Sequence, residues 1–325
     1  MTRGERLIEL CRGRKAYIQT HNFPDPDALA SGFGLSRFLE RSGIQTVLCY
    51  DGQLDKRACR KMVELFHIEA VPLKELGEVD LTGVRICVDS QKDNGNVSPM
   101  PLKINIGIDH HPIFVPGEYD FEDIRKAGSC AALVANYYYE AGMEPDSNTA
   151  SALLYGIKID THQLTRGVTD LDIDMFHFLN QFCNEQDLKK ISGSVLAFGD
   201  LKAYYNAIEN IRIYGDISFS EIDFSCSDDL IAMISDFFLS LDEIQISVVF
   251  CRREDGIKLS VRSSLEEVHA GVLVKLALEH VGTGGGHSYM AGGTIPADQT
   301  GKLGIYPEET IRDLFLKALK QIKEG

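Results

Sequence analysis

The 325-residue sequence is short of positive charge: 33 lysines and arginines stand against 48 aspartates and glutamates, a formal net charge of −15. Polyanions and anionic membrane surfaces reward basic clusters and counterion release, so long single strands, duplexes and acidic bilayers are not expected as partners. A short or small anionic substrate held through metal ions escapes that objection. Long apolar runs are also missing. Stretches such as Ile244–Phe250 and Val268–Val281 are interrupted well before the ~20 residues that a membrane-spanning helix needs. Residues 1–15 mix acids with bases and lack the apolar core and cleavage site of a secretory leader, which points to a cytoplasmic protein without a membrane partner. The eight cysteines never form a C-x-x-C pair and several sit in apolar runs, so reduced buried thiols are expected rather than disulfides or a zinc knuckle. No internal repeat or low-complexity tract is present, and the length favours two domains over one.

What is there alternates between helix and strand patterns. Thr2 and Glu5 form a capping-box pattern ahead of a first helix. Strands are expected at Lys15–Thr20, Ile44–Tyr50, Val84–Val88 and Ile104–Ile108, with helices from about Asp27 and over Leu54–His67. The alternation implies an α/β fold with a mostly parallel sheet in the N-terminal domain, helices on both faces and ligands at the carboxyl ends of the strands. Helices follow at Ser129–Ala141, Ser147–Ile159, after Thr169, and over Asp200–Ile213. Beyond residue 214 the pattern turns to a hairpin, Gln245–Arg252 with Gly256–Arg262, then an apolar helix, Val268–Val281, and a glycine-dense loop. The expected division is a catalytic domain over residues 1–199, a helical connector over 200–213 and a smaller α/β substrate-binding domain over 214–325.

Three of the predicted strands run into metal-ligand residues: the first into His21 and then Asp25 and Asp27, the next into Asp89, the third into Asp109-His110-His111. Asp160 closes the apolar helix that ends at Ile159. Singly, each has an ordinary explanation, because aspartate after a strand is a common helix N-cap and a lone histidine is usually a satisfied polar residue. Together, five aspartates and three histidines at neighbouring element ends would repel and desolvate one another unless cations compensated.

The series His21-x-x-Pro24-Asp25-x-Asp27-Ala28-x-x-Ser31, Asp89, Asp109-His110-His111 and Gly156-x-x-x-Asp160-Thr161 resembles the four motifs of the DHH phosphoesterase superfamily, in order and spacing. Gly284-Gly285-Gly286-His287 with Ala291-Gly292 resembles the DHH-associated C-terminal domain of the nanoRNase/pAp-phosphatase branch. The resemblance implies that His21, Asp25 and Asp89 bind one metal and Asp27, Asp89, His110 and Asp160 a second, with Asp89 bridging. Nitrogen and carboxylate ligands without thiolate favour Mn²⁺, with Mg²⁺, Co²⁺ or Zn²⁺ as alternatives. In such sites ions ~3.5–4 Å apart clamp an in-line displacement, and a shared water, as hydroxide, attacks phosphorus. His111 is then expected to contact the phosphoryl oxygens or protonate the leaving oxygen, with Asp109 orienting an imidazole.

Ser31, in the first turns of a helix, is a candidate anion contact. Arg262 lies on the polar face of its strand, at the position of the family's substrate-binding arginine, and Gly284, Gly285, Gly286 and His287 complete the expected grip on substrate. The segment Ser90-Gln91-Lys92 receives no role from the resemblance. The function implied is a metal-dependent phosphohydrolase acting on short oligonucleotides, linear dinucleotides or 3′-phosphoadenosine 5′-phosphate, in a protein that the resemblance suggests is a homodimer. The alternatives are a cyclic-dinucleotide phosphodiesterase and a non-catalytic nucleotide-binding regulator.

Overall fold

In the computed structural model, described for all residues except 55, 114, 194, 195 and 325, the chain divides into two units, Met1–Val195 and Leu196–Gly325. The first begins with α1 (Arg3–Cys11), whose Thr2–Glu5 capping box forms as expected. There follow β1 (Ala16–Gln19), α2 (Pro26–Arg41), β2 (Thr46–Tyr50), α3 (Arg57–Phe66), β3 (Ala70–Pro72), β4 (Val84–Val88), β5 (Ile104–Asp109) and β6 (Phe121–Ile124). Four helices complete the unit: α4 (Cys130–Glu140), α5 (Ser147–Asp160), α6 (Asp170–Asn180) and α7 (Glu185–Gly193). The expected helix over Leu54–His67 is thus α3, with residue 55 outside the described residues. Strands β3 and β6 were not anticipated. Both are short edge strands, with too few residues to show a pattern.

All six strands run parallel in the order β3-β2-β1-β4-β5-β6. The direction of winding reverses between β1 and β4, so the carboxyl ends of these two strands open a crevice where ligands of such sheets bind. Among the described residues, the α-helices lie on one face of the sheet. Ile18, Leu48, Ile86, Ile106 and Ile108 share a core with Leu29, Leu133 and Leu153 of α2, α4 and α5. The opposite face presents Tyr17, Gln19, Arg85 and Asn105, and it corrects the expectation of helices on both sides. The β4–β5 and β5–β6 connections contain no helix among the described residues. Buried Arg85 ties the first of these connections down, donating to Gln19 Oε1 and to the carbonyls of Ser98 and Leu102, each at 2.9 Å.

The second unit comprises α8 (Leu201–Asn210), β7 (Arg212–Tyr214), β8 (Ile217–Ile222), α9 (Asp228–Leu239), β9 (Ile246–Arg253), β10 (Gly256–Ser263), α10 (Ala270–Leu278), β11 (Thr283–Gly286), β12 (Met290–Pro296) and α11 (Pro307–Glu324). Its sheet, β11-β12-β10-β9-β8-β7, is mixed, with β8 and β9 parallel and the other pairs antiparallel. Helices α10 and α11 cover one face, and α8 and α9 the other. Residues 200–213, expected as a connector, are built into this unit: Ala203 and Ala207 pack against Ile231 and Val249, and Arg212 opens the edge strand.

The glycine segment is a strand rather than a loop. Gly284 pairs with Gly293 and Gly286 with Ala291. A Cβ on Gly284 would stand 2.2 Å from Val274 of α10, and one on Gly271 would stand 2.3 Å from the Gly286 carbonyl. The absence of side chains therefore lets α10 lie directly on β11. All eight cysteines are reduced thiols and six are buried. No helix among the described residues is long and apolar enough to cross a membrane.

Candidate metal centre

His21, Asp25 and Asp27 follow β1, Asp89 follows β4, Asp109 closes β5 just before His110 and His111, and Asp160 ends α5. Parallel strands deliver the first of these residues to one sheet edge, and α5 adds the last. Asp25 is the N-cap of α2, its Oδ1 accepting from Ala28 N at 3.0 Å. Asp27, in the first turn of the same helix and 1% exposed, accepts from the backbone N–H groups of Cys130 (2.7 Å) and Ala131 (2.9 Å). It thereby holds the positive end of α4. Asp89 lies at φ +56°, a left-handed conformation uncommon outside glycine, and its N–H donates to Ile108 O at 2.9 Å.

The side chains gather into overlapping clusters able to hold a cation: His21, Asp25 and Asp89; Asp27, His110 and Asp160; and Asp89, Asp109, His110 and His111. His21 Nε2 lies 3.9 Å from Asp25 Oδ1 and 3.8 Å from Asp89 Oδ2. His110 Nε2 lies 3.3 Å from Asp160 Oδ2, 3.4 Å from Asp89 Oδ1 and 4.0 Å from Asp27 Oδ2. In both rings the other nitrogen faces a backbone carbonyl, Asn22 O at 2.9 Å for His21 and Ala127 O at 3.1 Å for His110. A carbonyl only accepts, so Nδ1 carries a proton, and Nε2 is the nitrogen turned toward the carboxylate oxygens, free to offer a lone pair once it is deprotonated. Among the described residues, buried Asp89 Oδ1 and His110 Nε2 have no hydrogen-bond partner. Such a pair needs a proton or a cation beside it, and nitrogen with carboxylate donors suits a hard or borderline divalent cation.

The same crowding shifts the titrations in the metal-free protein. Burial, reinforced by the charges of Asp89 and Asp160, raises Asp27 well above the carboxylate range. Burial raises Asp160 to about 6, opposed by His110. Burial would lower His21, but hydrogen bonding to Asp25 and the charges of Asp25 and Asp89 outweigh it and lift the ring to about 9. His110 is raised in the same way, its burial outweighed by Asp89, Asp27 and Asp160. Asp25 is lowered despite burial, chiefly by Lys56, whose Nζ stands 3.7 Å from Oδ2, and by His21. Charge-dependent shifts of this size on neighbouring groups mark a functional site.

His111 is placed differently. Its Nδ1 lies 2.8 Å from Asp109 Oδ1, so the aspartate holds this ring. Asp109 Oδ1 also accepts from His110 N at 2.9 Å, and Oδ2 accepts from Gln91 Nε2 at 2.7 Å. Neither Gln91 nor Lys56 was anticipated, since nothing in their sequence neighbourhoods marks them and only the folded chain brings them to the site.

Two expected substrate contacts sit elsewhere than pictured. Ser31 is fully buried in α2 with its hydroxyl beside the Cys130 thiol, so it meets protein rather than an anion in solvent. Arg262 is 9% exposed and already engaged: Nε bonds Asp236 Oδ1 at 2.5 Å and Nη1 bonds Ser260 Oγ at 2.8 Å. His287 is exposed and stacks on Tyr289, with ring centroids 6.0 Å apart. His162, two residues past Asp160, is exposed at φ +48°.

Residues 215–323 match the family model of the DHHA1 domain. An uncharacterized protein of Methanocaldococcus jannaschii is 28% identical over 313 residues; the match covers 93% of this chain, which spans 62% of that protein's length. Among solved structures, an exopolyphosphatase-related protein from Bacteroides fragilis superposes with a TM-score of 0.74 at 19% identity, covering 98% of this chain and 95% of the other. RecJ from Thermus thermophilus in complex with Mn²⁺ superposes with a TM-score of 0.56 at 13% identity, over 98% of this chain and 54% of RecJ. At these identities the structural likeness is one of fold.

Proposed function

We propose that the chain belongs to the DHH superfamily, its residues 215–323 matching the DHHA1 domain model, and that it is a metal-dependent phosphohydrolase of short nucleotides. The observation that carries the reading is the pair of imidazoles, His21 and His110, each fixed by a carbonyl at Nδ1 and turned through Nε2 onto carboxylates. His21, Asp25 and Asp89 would hold one divalent ion, and Asp27, Asp89, His110 and Asp160 a second. Mn²⁺ is the favoured metal, in keeping with the donor set and with the manganese complex of the fold neighbour RecJ. Such ions, when bound, supply charge to the phosphoryl oxygens and make water acidic enough to attack near neutral pH.

The chain's own residues do the rest. The N–H groups of Cys130 and Ala131 keep Asp27 in place, so that the first turn of α4 and the carboxylate move as one piece. His111, held through Nδ1 by Asp109, would meet a phosphoryl oxygen or give a proton to the leaving oxygen. The DHHA1 unit would supply the grip on the rest of the substrate through Arg262, Gly284, Gly285, Gly286 and His287, with the first unit as the catalytic part. The substrates are di- to pentanucleotides or 3′-phosphoadenosine 5′-phosphate, handled in the cytoplasm by a homodimer. Product analysis with the Mn²⁺-loaded chain on these compounds and on cyclic dinucleotides tests the reading. Mononucleotide or phosphate release is expected; full metal occupancy without turnover of any of them would overturn it.

A further inference from the structure

Gln91 is 1% exposed, two residues past Asp89 in the β4–β5 connection. The left-handed turn at Asp89 sends both Ser90 and Gln91 inward, where Ser90 Oγ bonds Asn96 Oδ1 at 2.7 Å. Around the Gln91 amide nitrogen stand three acceptors: Asp109 Oδ2 at 2.7 Å, His111 O at 3.1 Å and Pro112 O at 3.4 Å. Its oxygen, also buried, has no donor among the described residues. A buried amide that leaves its oxygen unsatisfied is present for its N–H groups. The surroundings also fix its orientation, since the flipped amide would set oxygen against three acceptors.

Those N–H groups complete the shell of Asp109, which is fully buried. One carboxylate oxygen takes the His110 N–H and the His111 ring, and the other takes Gln91. Asp109 also belongs to a cluster with Asp89, His110 and His111 that could hold a cation, so its carboxylate has two competing uses. We infer that Gln91 is a positioning residue: by occupying Oδ2 it dedicates Asp109 to His111 and fixes the plane in which that imidazole meets the substrate. The inference rests on the proposed hydrolase reading for its kinetic consequence, though not for the hydrogen-bond chain itself.

The test compares the full-length Mn²⁺-loaded wild type with Gln91→Met, His111→Ala and the double variant, on 5′-phosphorylated diadenylate. Gln91→Met should lower kcat about 10–100-fold, the usual effect of losing a group that orients a site residue. KM and metal stoichiometry should stay unchanged, and in the His111→Ala background the substitution should cost nothing further. Wild-type kcat in Gln91→Met, or the same fold-loss with and without His111, would overturn the inference. Should Gln91→Met fail to fold, the near-isosteric Gln91→Glu takes its place. It sets an acceptor against Asp109 and should lose at least as much, whereas a wild-type rate would be decisive against the idea. A second readout does not depend on turnover. In the metal-free protein the ring proton between His111 and Asp109, assigned by its loss in His111→Asn, should shift or broaden in proton NMR of Gln91→Met. An unchanged resonance overturns the positioning role. A metal-loaded wild type that hydrolyses nothing would instead defeat the hydrolase reading, leaving the resonance to decide on Gln91.

Discussion

The carboxylate–imidazole cluster of the first unit and the expected substrate grip of the second are built on opposite principles. In the first, Asp89 Oδ1 and His110 Nε2 are buried without hydrogen-bond partners among the described residues, and imidazole nitrogens crowd against carboxylates. In the second, Arg262 is paired with Asp236 and Ser260, and the bare backbone at Gly284 and Gly286 is used up by the close approach of α10 and β12. An unsatisfied buried site demands a ligand on energetic grounds, while a satisfied one stands without any. The contrast teaches that the motif residues of the two units differ in what they need, although both were picked out by the same kind of resemblance.

The most severe way to break the comparison is Asp89→Asn. Removing the charge shared by the two clusters should abolish measurable turnover, a loss of at least ~10³-fold (about 4 kcal/mol of barrier), and reduce bound Mn²⁺ in elemental analysis. Retained hydrolysis would show that the clusters do not act through a common carboxylate. Arg262→Ala comes next. If the guanidinium exchanges Asp236 for a substrate phosphate, KM should rise about tenfold or more with little change in kcat. A fall in melting temperature at unchanged KM would confine Arg262 to its ion pair.

The glycines sharpen the same point by stability. Gly284→Ala drives a methyl into Val274 and should cost about 1–3 kcal/mol in denaturant unfolding of the chain, whereas Gly285→Ala, which has open space, should be near neutral. Equal costs would mean that α10 does not lie on β11 as described. The smallest effect is in pH. His21, raised to about 9, contributes stability to the metal-free protein that is complete below its ordinary value of 6.5 and lost as pH rises through 9. Asp160, raised to about 6, loses its contribution between 3.8 and 6 in the same direction. Asp25 and Asp109, being lowered, contribute above the carboxylate range and lose that contribution only in acid. The metal-free melting temperature should therefore decline modestly from pH 6 to 9 while the stabilisation by Mn²⁺ grows, because the ligands bind deprotonated. Parallel behaviour with and without Mn²⁺ would separate the cluster from metal binding.

Much of the site was legible in the chain because parallel strands of similar length end at one edge. An apolar run that stops at His21, Asp89 or Asp109 fixes the place of that residue once the sheet is granted. The capping box of Thr2 and the β9–β10 hairpin were legible for a simpler reason, since their contacts are three residues apart or join adjacent strands. Gln91 and Lys56 were not, because their partners lie 18 and 31 positions away and no local pattern requires them. The bare face of the first sheet was hidden likewise: Gln19, Arg85 and Asn105 become a continuous surface only when β1, β4 and β5 lie side by side.

By itself, then, the sequence determined the helix–strand alternation and parallel sheet of the first unit and the set of ionisable residues at its edge, all consequences of local periodicity and of where each apolar run ends. The tertiary structure decided which of those residues are satisfied and which are left facing one another. That depends on distances between elements far apart in sequence, such as the carbonyl of Ala127 that fixes His110 or the carboxylate of Asp236 that occupies Arg262. Hydrogen-bond satisfaction is a property of the packed interior, where each donor and acceptor must find its partner without water.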